Sequence, residues 1–336
     1  MGMPVLSNYV VNKILDHVLK TTPYSQPTHL YFSLYKGDPE DGGVECPGVT
    51  YDRVLCDDWN AAISATRNII NTAQSDFPEA GNDWSYIDFV GIHDADTGLG
   101  NVIGKFDLAP PITGTRTSDT IFTRTAGTWT IDAEIGKYVW AYVEGAYNGG
   151  AWFPIADNDT TTITITGVLT ASCNRIKIAM NVTLGMNLYI EAEMVEVEFV
   201  ATKGVCNTWA AKILDHIFKN TALDVPTNLY LGLSTADPTD DASGIAEPVG
   251  NNYSRPTAES WHAAALKIAT NDGVLDSPVA SGPWGKITHS FISDENDEVT
   301  VDHIIFYGEL DTPLTIGDGD KLRYPDEDLQ IKVDAA

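Results

Sequence analysis

The chain has 336 residues, of which 43% are hydrophobic and 20% charged, an ordinary balance for folded proteins and a length sufficient for two or three domains. Its 47 acidic residues against 20 basic ones give a net charge of -27, which repels phosphate backbones and anionic lipid and so argues against nucleic acid or a membrane as partner. The cysteines, Cys46, Cys56, Cys173 and Cys206, form no CxxC pair, so no zinc site is expected and free thiols are.

The opening residues lack a basic segment followed by a long apolar run, and no stretch is long and apolar enough for a spanning helix. Leu6 stands where an N-myristoylation signal needs Ser or Thr. Synthesis in a cytoplasm is expected.

The first predicted element is an amphipathic helix carrying Val11, Ile14, Leu15 and Val18 on one face, with Ser7 or Asn8 as N-cap and prolines Pro23 and Pro27 beyond its end. Residues 30–34 form an aromatic-rich apolar run bounded by Asp, Pro and Gly, and residues 87–93 alternate; both read as strands. Strand-like runs containing Trp129, Ile131, Tyr138, Trp140 and Tyr142 follow, then a glycine-rich turn over 145–150 and the β-branched run 160–166. Residues 195–199 alternate apolar with Glu, as in a half-buried edge strand. A second helix is predicted from Ile213, Leu214, Ile217 and Phe218, with Asn207 or Thr208 as N-cap and Pro226 just past it. Strands over 229–233 and 287–293 complete the pattern.

Much of this is a repeat. Lys-Ile-Leu-Asp-His occurs at 13–17 and again at 212–216, an offset of 199 residues (212 − 13). Leu30-Tyr31 answers Leu229-Tyr230, Asp38-Pro39 answers Asp237-Pro238, Tyr51 and Arg53 answer Tyr253 and Arg255, and Trp59 and Trp84 answer Trp261 and Trp284. Near the end the register jumps. Leu188 to Phe199 matches Leu322 to Val333 at an offset of only 134 (322 − 188), so repeat one contains an insertion. Insertions are tolerated at exposed turns whose ends lie close together.

The predicted fold is mainly β: two homologous antiparallel β-sandwich domains, each with an N-terminal helix, the first interrupted by a small all-β insert domain. Repeat one takes residues 1–112 plus 186–201, the insert 113–185, and repeat two 202–336.

Few residues invite a chemical role. His17 and His216 each follow Asp, but adjacent helical residues diverge, and a cationic His at a helix C-terminus is favoured by the dipole. His93-Asp94-Ala95-Asp96 could hold a metal, yet repeat two has Ser293 and Asn296 there, and Asp-Gly turn chemistry accounts for it equally. The same holds for Asp157-Asn158-Asp159 and Asp318-Gly319-Asp320, which lack the EF-hand spacing. His29, His262, His289 and His303 sit singly, and no serine lies in a GxSxG context. No catalytic residue, cofactor-binding residue or metal ligand is assigned, and no cofactor is expected. The recurring tryptophans read as core. The unrepeated aromatics Tyr147, Trp152 and Trp140 in the insert are the candidates for an exposed binding surface.

Leu229-Tyr230 through Pro238, Trp284 to Asp294 and Gly319 to Val333, with weaker counterparts in repeat one, resemble a family of structural proteins of tailed-bacteriophage virions labelled tail fibre or capsid decoration proteins. Residues 127–145 of the insert resemble small β modules of phage fibre proteins. The resemblance implies a non-enzymatic virion part, made in the bacterial host cytoplasm. Its partners would be other virion proteins, either the major capsid protein or tail proteins. It also implies a homo-oligomer, a trimer by analogy, and leaves room for a host surface glycan as ligand. No sustained heptad for a fibre shaft is present, so the leading expectation is a capsid decoration or cement protein on the outer head surface. The alternative is a tail, collar or fibre protein in host adsorption. A glycan-degrading enzyme is a remote third reading, since nothing singles out an acid pair among 47 acids.

Overall fold

The computed structural model describes residues 5–98, 100–108, 112–125, 138–143, 146–169, 173, 175–182, 186, 188–198, 204–297, 300 and 302–333. Trp129 and Ile131, and most of the 127–145 stretch, lie outside the described residues. The architecture is mainly β with antiparallel pairing, and two helices occur among the described residues. The chain divides into two compact units, one built from residues 30–56 and 74–191, the other from 5–29, 57–73 and 192–333.

In the first unit, strands β1 (Tyr31–Lys36), β2 (Ser85–Ile87), β3 (Phe89–His93) and β4 (Val102–Asp107) come first. β3 lies between β1 and β4, with Phe32 opposite Ile92 and Val90 opposite Phe106. Phe32, Leu34, Val90, Ile92, Ile103 and Phe106 are buried, and the Phe32 and Phe106 rings meet edge to face at 6.4 Å. All five residues of β3 are buried, so the strand is covered on both faces, which corrects the half-buried strand that alternation over 87–93 predicts.

A second sheet uses β5 (Ile112–Arg116), β6 (Ile121–Arg124), β7 (Tyr138–Val143), β8 (Ala146–Asn158), β9 (Thr162–Ile165) and β10 (Arg175–Val182). The order β5-β6-β9-β8-β7-β10 returns to β5 through the Ile112–Ile176 pairing, so six strands close a ring. Closure leaves no open edge along those strands. Phe122, Val139, Ile155, Ile163, Ile165, Leu169, Cys173 and Ile176 fill it. The period-two threonine run therefore does what its pattern dictates: Ile163 and Ile165 point inward.

The far end of β10 leaves the ring and pairs with β2, placing Ser85 opposite Val182 and Ile87 opposite Met180. In the second unit one strand does the work of both β4 and the end of β10. β11 (Tyr230–Ser234), β12 (Gly285–Ser293) and β13 (Ile304–Ile316) form a three-stranded sheet in which Gly285 lies opposite Ile316 and Ile287 opposite Leu314. The same strand β13 also pairs Phe291 with Tyr307 and Ile292 with Phe306.

The repeat ends are equally matched. Phe77 N–H donates to the Leu188 carbonyl and Ala80 N–H to Met186; Ser277 donates to Leu322 and Ala280 to Asp320. The offset between the acceptors is the 134 (322 − 188) read from the sequence. Asn71 and Asn271 repeat a second device: their side-chain oxygens accept from Val195 N–H at 2.7 Å and Leu329 N–H at 2.8 Å.

The second unit holds both helices, α1 (Asn8–Leu19) and α2 (Asn207–Phe218). Ser7 caps α1 by accepting from Val10 N–H at 3.2 Å. α2 starts from Cys206, not from Asn207 or Thr208 as expected; its cap makes no side-chain hydrogen bond, and the thiol is buried in the core instead. Val10, Val11, Ile14 and Leu15 of α1 face Ile213 and Ile217 of α2 around a small apolar gap closed by Phe306. Each helix also carries a hairpin from the other repeat. The hairpin pairing Trp59 with Asn71 lies over α2, and the one pairing Trp261 with Asn271 lies over α1. Trp59 and Phe218 meet at 4.7 Å between ring centroids.

Candidate functional site

Both repeats contain the same buried charge cluster. In the first, Arg53 grips Glu45 with two parallel bonds of 2.8 Å and sends a third to the Ala95 carbonyl at 2.8 Å. Tyr51 donates to Glu45 at 3.1 Å and accepts from Leu34 N–H at 2.9 Å. In the second, Arg255 grips Glu247 at 3.0 and 2.7 Å and donates to the Glu295 carbonyl, while Tyr253 donates to Glu247 at 2.6 Å and accepts from Leu233 N–H. The guanidinium side chains are only 3% and 2% exposed. Burial pushes the Tyr51 and Tyr253 hydroxyls well above the ordinary phenol range, helped by the adjacent carboxylates. These tyrosines therefore hold their protons and act as fixed donors. Burial works to raise Glu45, but hydrogen bonds and charge from Arg53 outweigh it and hold the carboxyl below its ordinary value. Each donor has a structural acceptor and the cluster ties a loop to a sheet. Sequence comparison matched Tyr51 and Arg53 with Tyr253 and Arg255 but missed their partners. The signal was present, since Glu45 and Glu247 stand six residues before each tyrosine.

Three sets of residues singled out from the sequence have structural roles. The paired tryptophans are core: Trp59, Trp84, Trp261 and Trp284 are all at most 5% exposed. The Asp-rich loops are turns. Asp159 accepts from Thr161 and Thr162 N–H, which holds its carboxyl down at about 2, and Asp320 accepts from Gly317 N–H beside Gly319 at φ +83°. His93 is buried against Tyr35, the rings stacked 5.8 Å apart, and burial lowers its imidazole to about 4. Asp94 is engaged with Asn101. This is not a ligand set aimed at an ion.

His17 and His216 correct an expectation. They do lie in the last turns of their helices, but both are buried, so they are not solvent-facing cations answering the dipole. A His cluster missed from sequence lies in repeat two, where His262 Nε2 is 3.2 Å from Asp326 Oδ1 and 3.9 Å from Asp272 Oδ1. Its members come from three separate loops, which no local spacing reveals. The carboxylates are more than half exposed.

In the insert, the backbone places Trp140 directly opposite Trp152 in the β7–β8 hairpin, with Tyr147 near the start of β8. Their side chains lie outside the described residues. None of the arrangements above presents a nucleophile beside a base. Among the described residues no helix is long and apolar enough to cross a membrane.

No curated protein matches the chain. A family model described as Podophage GP4 fiber I protein gp80 matches it twice, over residues 5–132 and 204–332. The two matches span most of the chain, one beginning just before each of the two helices. The chain belongs to this family of phage fibre proteins and is a structural component of a virion.

Proposed function

We propose that this protein is a non-enzymatic part of the phage's fibre apparatus and serves host adsorption, with the closed six-stranded insert as the displayed module. The observation that carries this reading is the fibre-family match on both repeats. It moves the balance away from capsid decoration, which rested on the absence of a heptad shaft. The insert is proposed to run between Asp107 and Met180, because β13 of repeat two is continuous where repeat one departs and returns. A module that leaves and re-enters the middle of one strand has its two ends close together and is free to project.

The Trp140–Trp152 pair, with Tyr147, is the proposed contact face, and a host surface glycan is the proposed ligand, since sugar rings stack on aromatic faces. Other tail proteins are the proposed virion partners, and a homotrimer the proposed assembly. Adsorption assays test this. Virions carrying Trp152→Ala should adsorb to host cells more slowly at unchanged particle yield and unchanged protein content. Wild-type adsorption by Trp140→Ala, Trp152→Ala and Tyr147→Ala virions would overturn the assignment of the contact face. Light scattering of the purified chain tests the trimer.

A further inference from the structure

The repeated Lys-Ile-Leu-Asp-His ends of α1 and α2 reach across to the opposite repeat within the second unit. Asp16 Oδ1 accepts from Ala264 N–H, and Asp215 Oδ1 accepts from Ala62 N–H, each at 2.8 Å. The imidazoles of His17 and His216 lie 5.4 Å apart with their planes 31° from parallel. Both histidines are at most 3% exposed.

Their hydrogen-bond partners differ in kind. Tyr24 N–H donates to His17 Nδ1 at 2.9 Å, so that nitrogen must be an acceptor, and the ring proton sits on Nε2, facing the Leu223 carbonyl at 2.9 Å. His17 cannot take a second proton without losing the Tyr24 bond. His216 faces carbonyl oxygens on both sides, Thr221 at 2.9 Å from Nδ1 and Tyr24 at 3.0 Å from Nε2. Both nitrogens of His216 thus face acceptors, whereas one nitrogen of His17 faces a donor.

We propose that the His17–His216 pair is an acid-sensitive latch that fastens the two repeats' helix ends at neutral pH and releases them as His17 takes a proton. The groups around it bear on this. Asp16 and Asp215 are engaged with the opposite hairpins, Lys219 donates to the Trp59 carbonyl at 2.7 Å, and the Tyr24 ring stands edge-on to His216. Burial disfavours charge on His17 most, and His216 opposes it too; the Leu223 carbonyl and Asp224 favour it without prevailing, so His17 is held below its ordinary 6.5. The sign follows. The opened state takes the proton first, so the latch's contribution is complete above about 6.5 and is lost as the pH falls below it.

Hydrogen exchange of the full chain at pH 7.5 and 5.5, corrected for intrinsic rates, tests the latch. Protection at Tyr24, Ala62 and Ala264 should fall in acid, by up to about tenfold, the limit set by an ordinary histidine that takes its proton in the opened state between these two pH values, while the amides of β12 and β13 hold. His17→Gln, whose amide can still accept from Tyr24 and donate to Leu223, should keep protection at both pH values. Unchanged protection in the wild type, or an undiminished acid loss in His17→Gln, would overturn the proposal. A direct readout does not depend on the variant folding. The His17 ring resonances should titrate with a midpoint below 6.5, and a midpoint at or above 6.5 would also overturn it.

Discussion

Replacing Glu247 by Gln removes the charge from the buried cluster of the second repeat and leaves Arg255 in place. The guanidinium is 2% exposed and Glu247 16%. After substitution Arg255 retains the Glu295 carbonyl and Ser293 hydroxyl. A neutral amide cannot reproduce the paired Nε and Nη2 bonds to one carboxylate, and Tyr253 loses its charged acceptor. Breaking a buried ion pair from one side costs about 3–5 kcal/mol, because the remaining charge is left uncompensated. At about 2–4 °C per kcal/mol for a unit of this size, the midpoint of thermal unfolding should drop by roughly 6–20 °C. Trp284 reports the event locally, since its ring meets Tyr253 edge to face at 5.2 Å, so fluorescence and calorimetry should move together. Asp276→Asn is the control. It removes an equally well-formed pair with Lys321 and Arg323, but an exposed one, and should leave the midpoint unchanged within error. Replacing the whole pair with Glu247→Leu and Arg255→Met should recover much of the loss. Equal effects of Glu247→Gln and Asp276→Asn would refute the argument that burial, not ion pairing as such, makes this cluster matter.

Three further outcomes follow from the same structure. His93, lowered to about 4 by burial, should show no ring titration between pH 8 and 5 by NMR. Because its folded value lies below the unfolded one, its contribution to stability is present above about 6.5 and lost progressively as the pH falls towards 4. Gly232→Ala should destabilise by about 1–3 kcal/mol in chemical unfolding, since a Cβ there would lie 2.0 Å from the Phe291 ring. A thiol reagent should find none of Cys46, Cys56, Cys173 and Cys206 in the native protein and all four after unfolding, because all four are buried thiols, with Cys206 pushed up to about 12 by burial.

The repeat was legible because its carriers are structural: turn residues, buried tryptophans and the apolar faces of two helices. The register jump was legible too, and the backbone bonds of Leu188 and Leu322 reproduce it. What local patterning could not reveal was partnership. Asp16 and Asp215 look like solvated helix residues in sequence, yet each fastens a hairpin of the other repeat. The same blindness turned two buried histidines into dipole-facing cations. It hid Glu45 and Glu247, whose distance from Arg53 and Arg255 spans a loop. The proposed departure of an insert from inside a strand has no sequence signal for another reason: β13 reads as one strand only when its pairing with β12 is seen. The opposition of Trp140 and Trp152 likewise depends on the β7–β8 register and not on their spacing.

The central claim is that the chain is a fibre part used in adsorption and not a coat on the head. Its copy number per particle, measured by quantitative mass spectrometry of purified virions against the major capsid protein, tests that most directly. The account predicts a small number set by the symmetry of the tail. A ratio close to one copy per capsid subunit would contradict it and establish the chain as a capsid decoration protein.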